Sequence, residues 1–151
     1  MNNVPNNWGP DCLWGVPLIV CTVLFHVLGL GTVRRGFFRV IGNDTVRRHS
    51  RSMFVMIVGC VTISAIVLHG IEAVLWAFAY RLLKALPDVQ NAVLYSLNAI
   101  TSYGHANLQL ERRWELMGAM EALDGWLLFG LSTAFLFAVI HRLTYLDTPE
   151  R

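Results

Sequence analysis

An all-α membrane protein, with three transmembrane helices plus one re-entrant half-helix, is the fold class this sequence predicts, and three observations predict it. Of 151 residues, 55% are hydrophobic and only 15% charged, with a mean hydropathy of +0.50, more apolar than a soluble domain of this length. Three apolar runs reach the roughly 20 helical residues that a hydrocarbon core about 30 Å thick requires. Between the second and third lies NAVLYSLNAI, apolar but about half the length of a crossing.

The opening MNNVPNNWGPD has no basic residue before its first apolar run, which argues against a cleaved signal peptide. Residues 1–33 are therefore a tail and a first crossing, about Leu13 to Val33. Residues 34–51 follow as a basic loop carrying Arg34, Arg35, Arg39, Arg47, Arg48 and Arg51, which the positive-inside rule places in the cytoplasm. The N-terminus is then outside. The second helix, about Met53 to Leu83, runs outward, and the third, about Trp114 to Leu143, runs back, leaving Arg142 and residues 144–151 cytoplasmic. Both exceed one perpendicular crossing, so tilt or extension beyond the bilayer is expected. Trp8, Trp14, Trp76, Tyr80 and Trp114 fall near the outer ends, as an interfacial aromatic belt would.

Val89 to Arg113 leaves the outer side and must return to it. Its polar exit, AITSYGHANL at residues 99–108, can sit at membrane depth only if it is buried in protein or lines water.

At these residues the chain resembles the pore domain of the two-helix potassium-channel superfamily. The family signature resembles S-x-x-T-x-T-T-x-G-Y-G-D, and a gap-free overlay on SLNAITSYGHAN brings Thr101 and Ser102 onto the paired threonines and Gly104 onto the first filter glycine. His105 then stands for the tyrosine, Ala106 for the second glycine and Asn107 for the aspartate. A second overlay, with Tyr103 on the tyrosine, needs gaps on both sides. The helix WELMGAMEALDGWLLFGLSTAFLFAVIHRL resembles the inner helix of small bacterial members. The resemblance implies a pore domain over residues 52–143 (outer helix, pore helix, filter-like loop, inner helix), with residues 1–33 an addition, in a bacterial inner membrane. It also implies a filter at Thr101, Ser102, Tyr103, Gly104, His105, Ala106 and Asn107, passing a monovalent cation such as potassium or sodium, with no resident cofactor.

A filter is a ring of backbone carbonyls that replace the ion's hydration shell, and one loop per chain requires a closed homotetramer. Pointing successive carbonyls one way needs residues at positive φ, which glycine reaches freely and alanine at a cost of about 1–2 kcal/mol. Ala106 strains that geometry, His105 is a shorter brace than tyrosine, and Asn107 removes a ring of carboxylates from the mouth. These departures predict weak selectivity. His105, whose charge changes near neutrality, either confers a pH response or is a neutral ring hydrogen-bonded behind the filter. Thr101 and Ser102 either line the filter or cap the half-helix.

Ionisable groups inside a membrane need a reason. Glu72 lies three residues after His69 on one helix face, and Glu121 and Asp124 occupy the outer half of the third helix. They either support the filter, with Glu121 facing a vestibule, or form a buried polar network joining the helices. A stripe through Glu121, Gly125, Leu128, Ser132, Phe135, Val139 and Arg142 has helical spacing and is either a pore face, gated by dewetting at Phe135 and Val139, or plain packing. Gly118, Gly125 and Gly130 suit close helix contact or a hinge.

Two rivals come from other classes. One is a haem-binding electron-transfer subunit using His26, His69 or His141, of which His26 and His141 share the cytoplasmic half. The other is a non-conducting scaffold whose arginine loop binds anionic lipid. A net charge of +2 points to no nucleic-acid partner. Cys12, Cys21 and Cys60 lack metal-ligand spacing, and without paired catalytic carboxylates, a nucleophile with a base, or a phosphate-cradling loop, no enzyme is expected.

Overall fold

The computed structural model describes residues 8–41, 50–104 and 108–147. Every regular element among them is a helix: α1 (Gly9–Ile41), α2 (Ser50–Leu82), α3 (Val89–Ile100) and α4 (Glu115–Asp147), the last preceded by a single 3-10 turn at Arg112–Trp114. The three long helices have 33 residues each, about 50 Å at 1.5 Å per residue, and each is long and apolar enough to cross a membrane. This is a membrane-embedded protein. The extra length lies largely at the basic end, where α1 continues through Arg34, Arg35 and Arg39 to Ile41 and α2 already begins at Ser50. The loop expected over 34–51 shortens accordingly, and residues 42–49, with Arg47 and Arg48, lie outside the described residues.

Side-chain pairing sets the directions. Asp11 Oδ1 accepts from Met117 N at 3.2 Å, Thr22 Oγ1 lies 2.7 Å from Asp124 Oδ2, and His26 Nε2 lies 2.9 Å from Ser132 Oγ, so α1 and α4 run side by side in the same direction. α2 opposes both, meeting α4 through Tyr80 and Glu121, Trp76 and Asp124, and His69 and Ser132.

α2 ends in a two-bond cap: Ala85 N donates to Tyr80 O at 2.9 Å and Lys84 N to Arg81 O at 3.2 Å. Lys84 holds the left-handed position at φ 55. Asp88 then starts α3, its side chain accepting from Asn91 N at 2.8 Å. From the end of α2, α3 turns back along it. Ser96 Oγ lies 2.6 Å from Ala73 O, and Ile100 lies against Gly125. The returning chain is tied to the starting level by Glu111 N donating to Ala85 O at 3.2 Å.

Two apolar clusters bracket the middle of the bundle. One gathers Trp76, Tyr80, Tyr95, Leu110, Trp114 and Met117, with Tyr80 and Tyr95 in edge-to-face contact at 5.3 Å. The other gathers Phe37, Ile57, Val61 and Val139 at the basic end. The aromatic belt is thereby corrected: Trp8 and Trp14 are exposed, but Trp76, Tyr80 and Trp114 are buried between helices. Trp76 and Tyr80 carry polar tips that meet carboxylates of α4, which holds their rings inward. The unpaired face of each long helix is apolar, with Leu24, Leu28, Ile63, Ile66, Phe78, Phe129 and Phe137 exposed on the single chain, as lipid or a further copy would require.

Candidate functional site

Between the two clusters runs a seam of buried polar side chains contributed by all four helices. Its first part is built on Glu121, which is fully buried. Tyr80 Oη donates to Glu121 Oε2 at 2.6 Å, and Ser96 Oγ contacts Oε1, so one carboxylate joins α2, α3 and α4. The Ser96 hydroxyl also faces Ala73 O. Its second part is Asp124, whose Oδ2 accepts from Trp76 Nε1 at 2.9 Å and meets Thr22. Its buried Oδ1 has no hydrogen-bond partner.

The third part lies one turn further along. Glu72 Oε1 is 2.8 Å from His26 Nδ1, and Glu72 Oε2 is 3.4 Å from His69 Nδ1. The Nε2 atoms of both rings reach Ser132 Oγ, at 2.9 Å and 3.2 Å. One donor atom from each of His26, His69 and Glu72 lies within 4.8 Å of the others, a set able to hold a metal ion. The i,i+3 spacing of His69 and Glu72 was legible in the sequence; the closer partner, His26, comes from α1 and had no local signal. The structure also re-pairs the histidines. His26 meets His69, with ring centroids 5.1 Å apart, whereas His141 lies against Phe137. Axial haem ligands stand on opposite faces of a flat macrocycle, whereas His26 and His69 meet each other directly over Glu72 and Ser132.

A face of α4 expected as a possible pore lining turns out to face inward. Glu121 and Leu128 are fully buried, Val139 is buried with Phe135 packed beside it, and Gly125 meets α3. Ser132 serves the two histidines. This stripe is the packing face of the single chain: Gly125 admits α3, Glu121 and Ser132 join the polar seam, and Leu128, Phe135 and Val139 pack in apolar clusters. The opposite face, through Leu123, Trp126, Gly130, Thr133 and Phe137, is exposed. Glu72 and Asp124 are likewise placed among α1, α2 and α4 rather than against the turn that follows α3.

That turn is the second candidate feature. α3 ends as α2 does: Ser102 N donates to Ala99 O and Tyr103 N to Asn98 O, both at 2.9 Å. Ser102 takes the left-handed position at φ 54 and Gly104 sits at φ 96. Thr101 Oγ1 donates to Leu97 O at 2.6 Å, so its hydroxyl caps the helix in this chain. Ser102 Oγ accepts from Trp126 Nε1 at 2.9 Å. Thr101 to Gly104 are all exposed, Tyr103 at 85%. His105, Ala106 and Asn107 lie outside the described residues.

No family model, curated protein or solved structure matches the chain.

Proposed function

We propose that this chain is one subunit of a homotetrameric monovalent-cation channel of potassium-channel-like architecture, weakly selective because its TSYGHAN segment departs from the usual filter. One observation carries this reading: a polar, exposed turn lies about a third of the way along an apolar helix rather than at its end. Residue 125 is about ten residues into α4, about 15 Å along its axis, and the end of α3 lies at that level. Irregular backbone at such depth cannot face lipid and must be covered by protein or line water. Four copies around a wet axis satisfy that requirement, whereas a single copy does not. Positive φ at Ser102 and Gly104 is the backbone freedom that aligned carbonyls need.

In this arrangement the exposed face of α4, with Trp126, Gly130 and Thr133, turns to the axis. The α3 C-terminus directs its partial negative charge toward a cation there. The basic end, with Arg34, Arg35, Arg39, Arg51 and Arg142, lies in the cytoplasm by the positive-inside rule. There a cavity of about 630 Å³ is lined by Arg34, His141 and Arg142 together with Phe37, Phe135, Phe137 and Val139, a combination suited to the headgroup and upper acyl chain of an anionic lipid.

The test is ion flux from proteoliposomes containing the purified chain, with potassium, sodium and chloride compared above and below neutral pH. Cation flux is expected, and combining His105→Tyr, Ala106→Gly and Asn107→Asp raises potassium preference. Absence of flux under every voltage and pH, or particles without four-fold symmetry, overturns the channel; the former outcome leaves a non-conducting scaffold.

A further inference from the structure

Outside the proposed pore, the densest cluster of ligating side chains in the described chain is the group His26, His69 and Glu72. We propose that these three residues bind a divalent transition metal of the zinc class, fastening α1 to α2 within the membrane. The inference does not depend on whether the chain conducts.

Hydrogen-bond accounting motivates it. Four contacts hold the cluster together: each imidazole meets Glu72 through Nδ1 and Ser132 through Nε2. With neutral rings and an ionised carboxylate, the two imidazoles and the serine hydroxyl offer three protons for four contacts. One contact must set lone pair against lone pair, and among the described residues no Lys or Arg pairs with Glu72 to balance its charge. A cation at the Nδ1 side removes both problems. Both Nδ1 lone pairs and the carboxylate then point at the ion, and both Nε2–H groups donate to Ser132 Oγ, which has two lone pairs to accept them. Ser132 Oγ then takes the outer position, fixing the far nitrogens, that a carboxylate, backbone carbonyl or water fills in most histidine metal sites.

A second observation is a buried ligand atom left without a partner. Glu72 Oε2 is buried and no hydrogen bond reaches it, since the 3.4 Å to His69 Nδ1 is too long for one of good geometry. An added proton on His69 Nδ1 would have to close that 3.4 Å gap to serve this oxygen, whereas an ion between the two rings coordinates it across the gap. Imidazole and carboxylate donors select zinc-like ions over magnesium or calcium, which prefer all-oxygen shells. His69, 27% exposed, marks the side from which an ion would enter, while His26 and Glu72 are fully enclosed.

The experiment is cobalt titration of the chelator-treated full chain in detergent, read by visible d–d absorption, with zinc as competitor and thermal unfolding as an independent readout. One cobalt per chain is expected, displaced by zinc, with a higher unfolding midpoint when metal is bound. His69→Gln, at the partly exposed ligand, should weaken affinity at least tenfold in a protein that remains folded, Ser132→Ala about tenfold, and His141→Ala not at all. Glu72→Gln should abolish binding. Absence of saturable binding by the wild-type chain overturns the proposal in favour of a protonated cluster, and so does binding that survives both His69→Gln and Glu72→Gln.

Discussion

Trp126 of α4 donates its indole N–H to the hydroxyl of Ser102 at 2.9 Å, and Ser102 is the residue that ends α3 in a left-handed conformation, φ 54. Glycine is the common choice at that position, so the serine accepts a conformational cost of about 1 kcal/mol and gains a tie to α4. The two contributions are separable. Ser102→Gly relieves the backbone and loses the tie, whereas Ser102→Ala loses the tie and keeps the strain. Thermal unfolding in detergent should place Ser102→Ala below Ser102→Gly by about 1 kcal/mol; equal stabilities would mean the left-handed turn is absent in the folded protein.

Glu121 is the acceptor on which three helices converge. Glu121→Ala leaves Tyr80 Oη without its buried acceptor and opens a gap beside Ser96, a loss of roughly 2–4 kcal/mol. Glu121→Gln should cost much less. Its amide oxygen accepts from Tyr80 while its amide N–H donates to Ser96 Oγ, freeing the serine proton for Ala73 O. Denaturation midpoints for the two variants check the order, and a Gln variant as unstable as the Ala variant would refute this pairing.

Two glycines of α4 should respond oppositely. A Cβ on Gly125 would fall 2.7 Å from the Ile100 carbonyl carbon and 2.9 Å from its Cα, a backbone collision that no rotamer relieves, so Gly125→Ala should separate α3 from α4 and lower stability by about 2 kcal/mol or more. Gly130 has nothing within 4 Å. Gly130→Ala should leave stability unchanged or raise it by up to about 1 kcal/mol through helix propensity, and if that face lines the pore it changes unitary current. Unfolding curves and single-channel records read the two effects separately.

Much of this fold was legible because a bilayer imposes length. Runs of 20 or more apolar residues announced α1, α2 and α4, and the shorter apolar stretch before Thr101 announced α3. Which face of α4 points inward was not legible, since a stripe of Glu121, Gly125, Leu128 and Ser132 has the same spacing whether it lines water or neighbours. The fates of Trp76 and Tyr80 were hidden for a similar reason: an aromatic near a helix end suits an interface, and only the register between helices brings it onto Asp124 or Glu121. The meeting of His26 with His69 and Glu72 is likewise set by how α1 seats on α2, 46 positions away in sequence.

The cavity at the basic end gives a prediction about lipid. Reconstitution with phosphatidylglycerol or cardiolipin should raise the unfolding temperature above that in neutral phosphatidylcholine, and pairing Arg34→Gln with Arg142→Gln should remove most of the difference. An increase that persists in the double variant would place the lipid elsewhere.

The parallel pairing of α1 with α4 has a mechanical consequence. Stitched at Asp11 and Met117, at Thr22 and Asp124, and at His26 and Ser132, the two helices form a single strut running the depth of the bundle. Any displacement of the arginine-bearing foot of α1 along the helix axis must therefore carry α4 with it, and with α4 the Trp126 indole that holds the Ser102 bend.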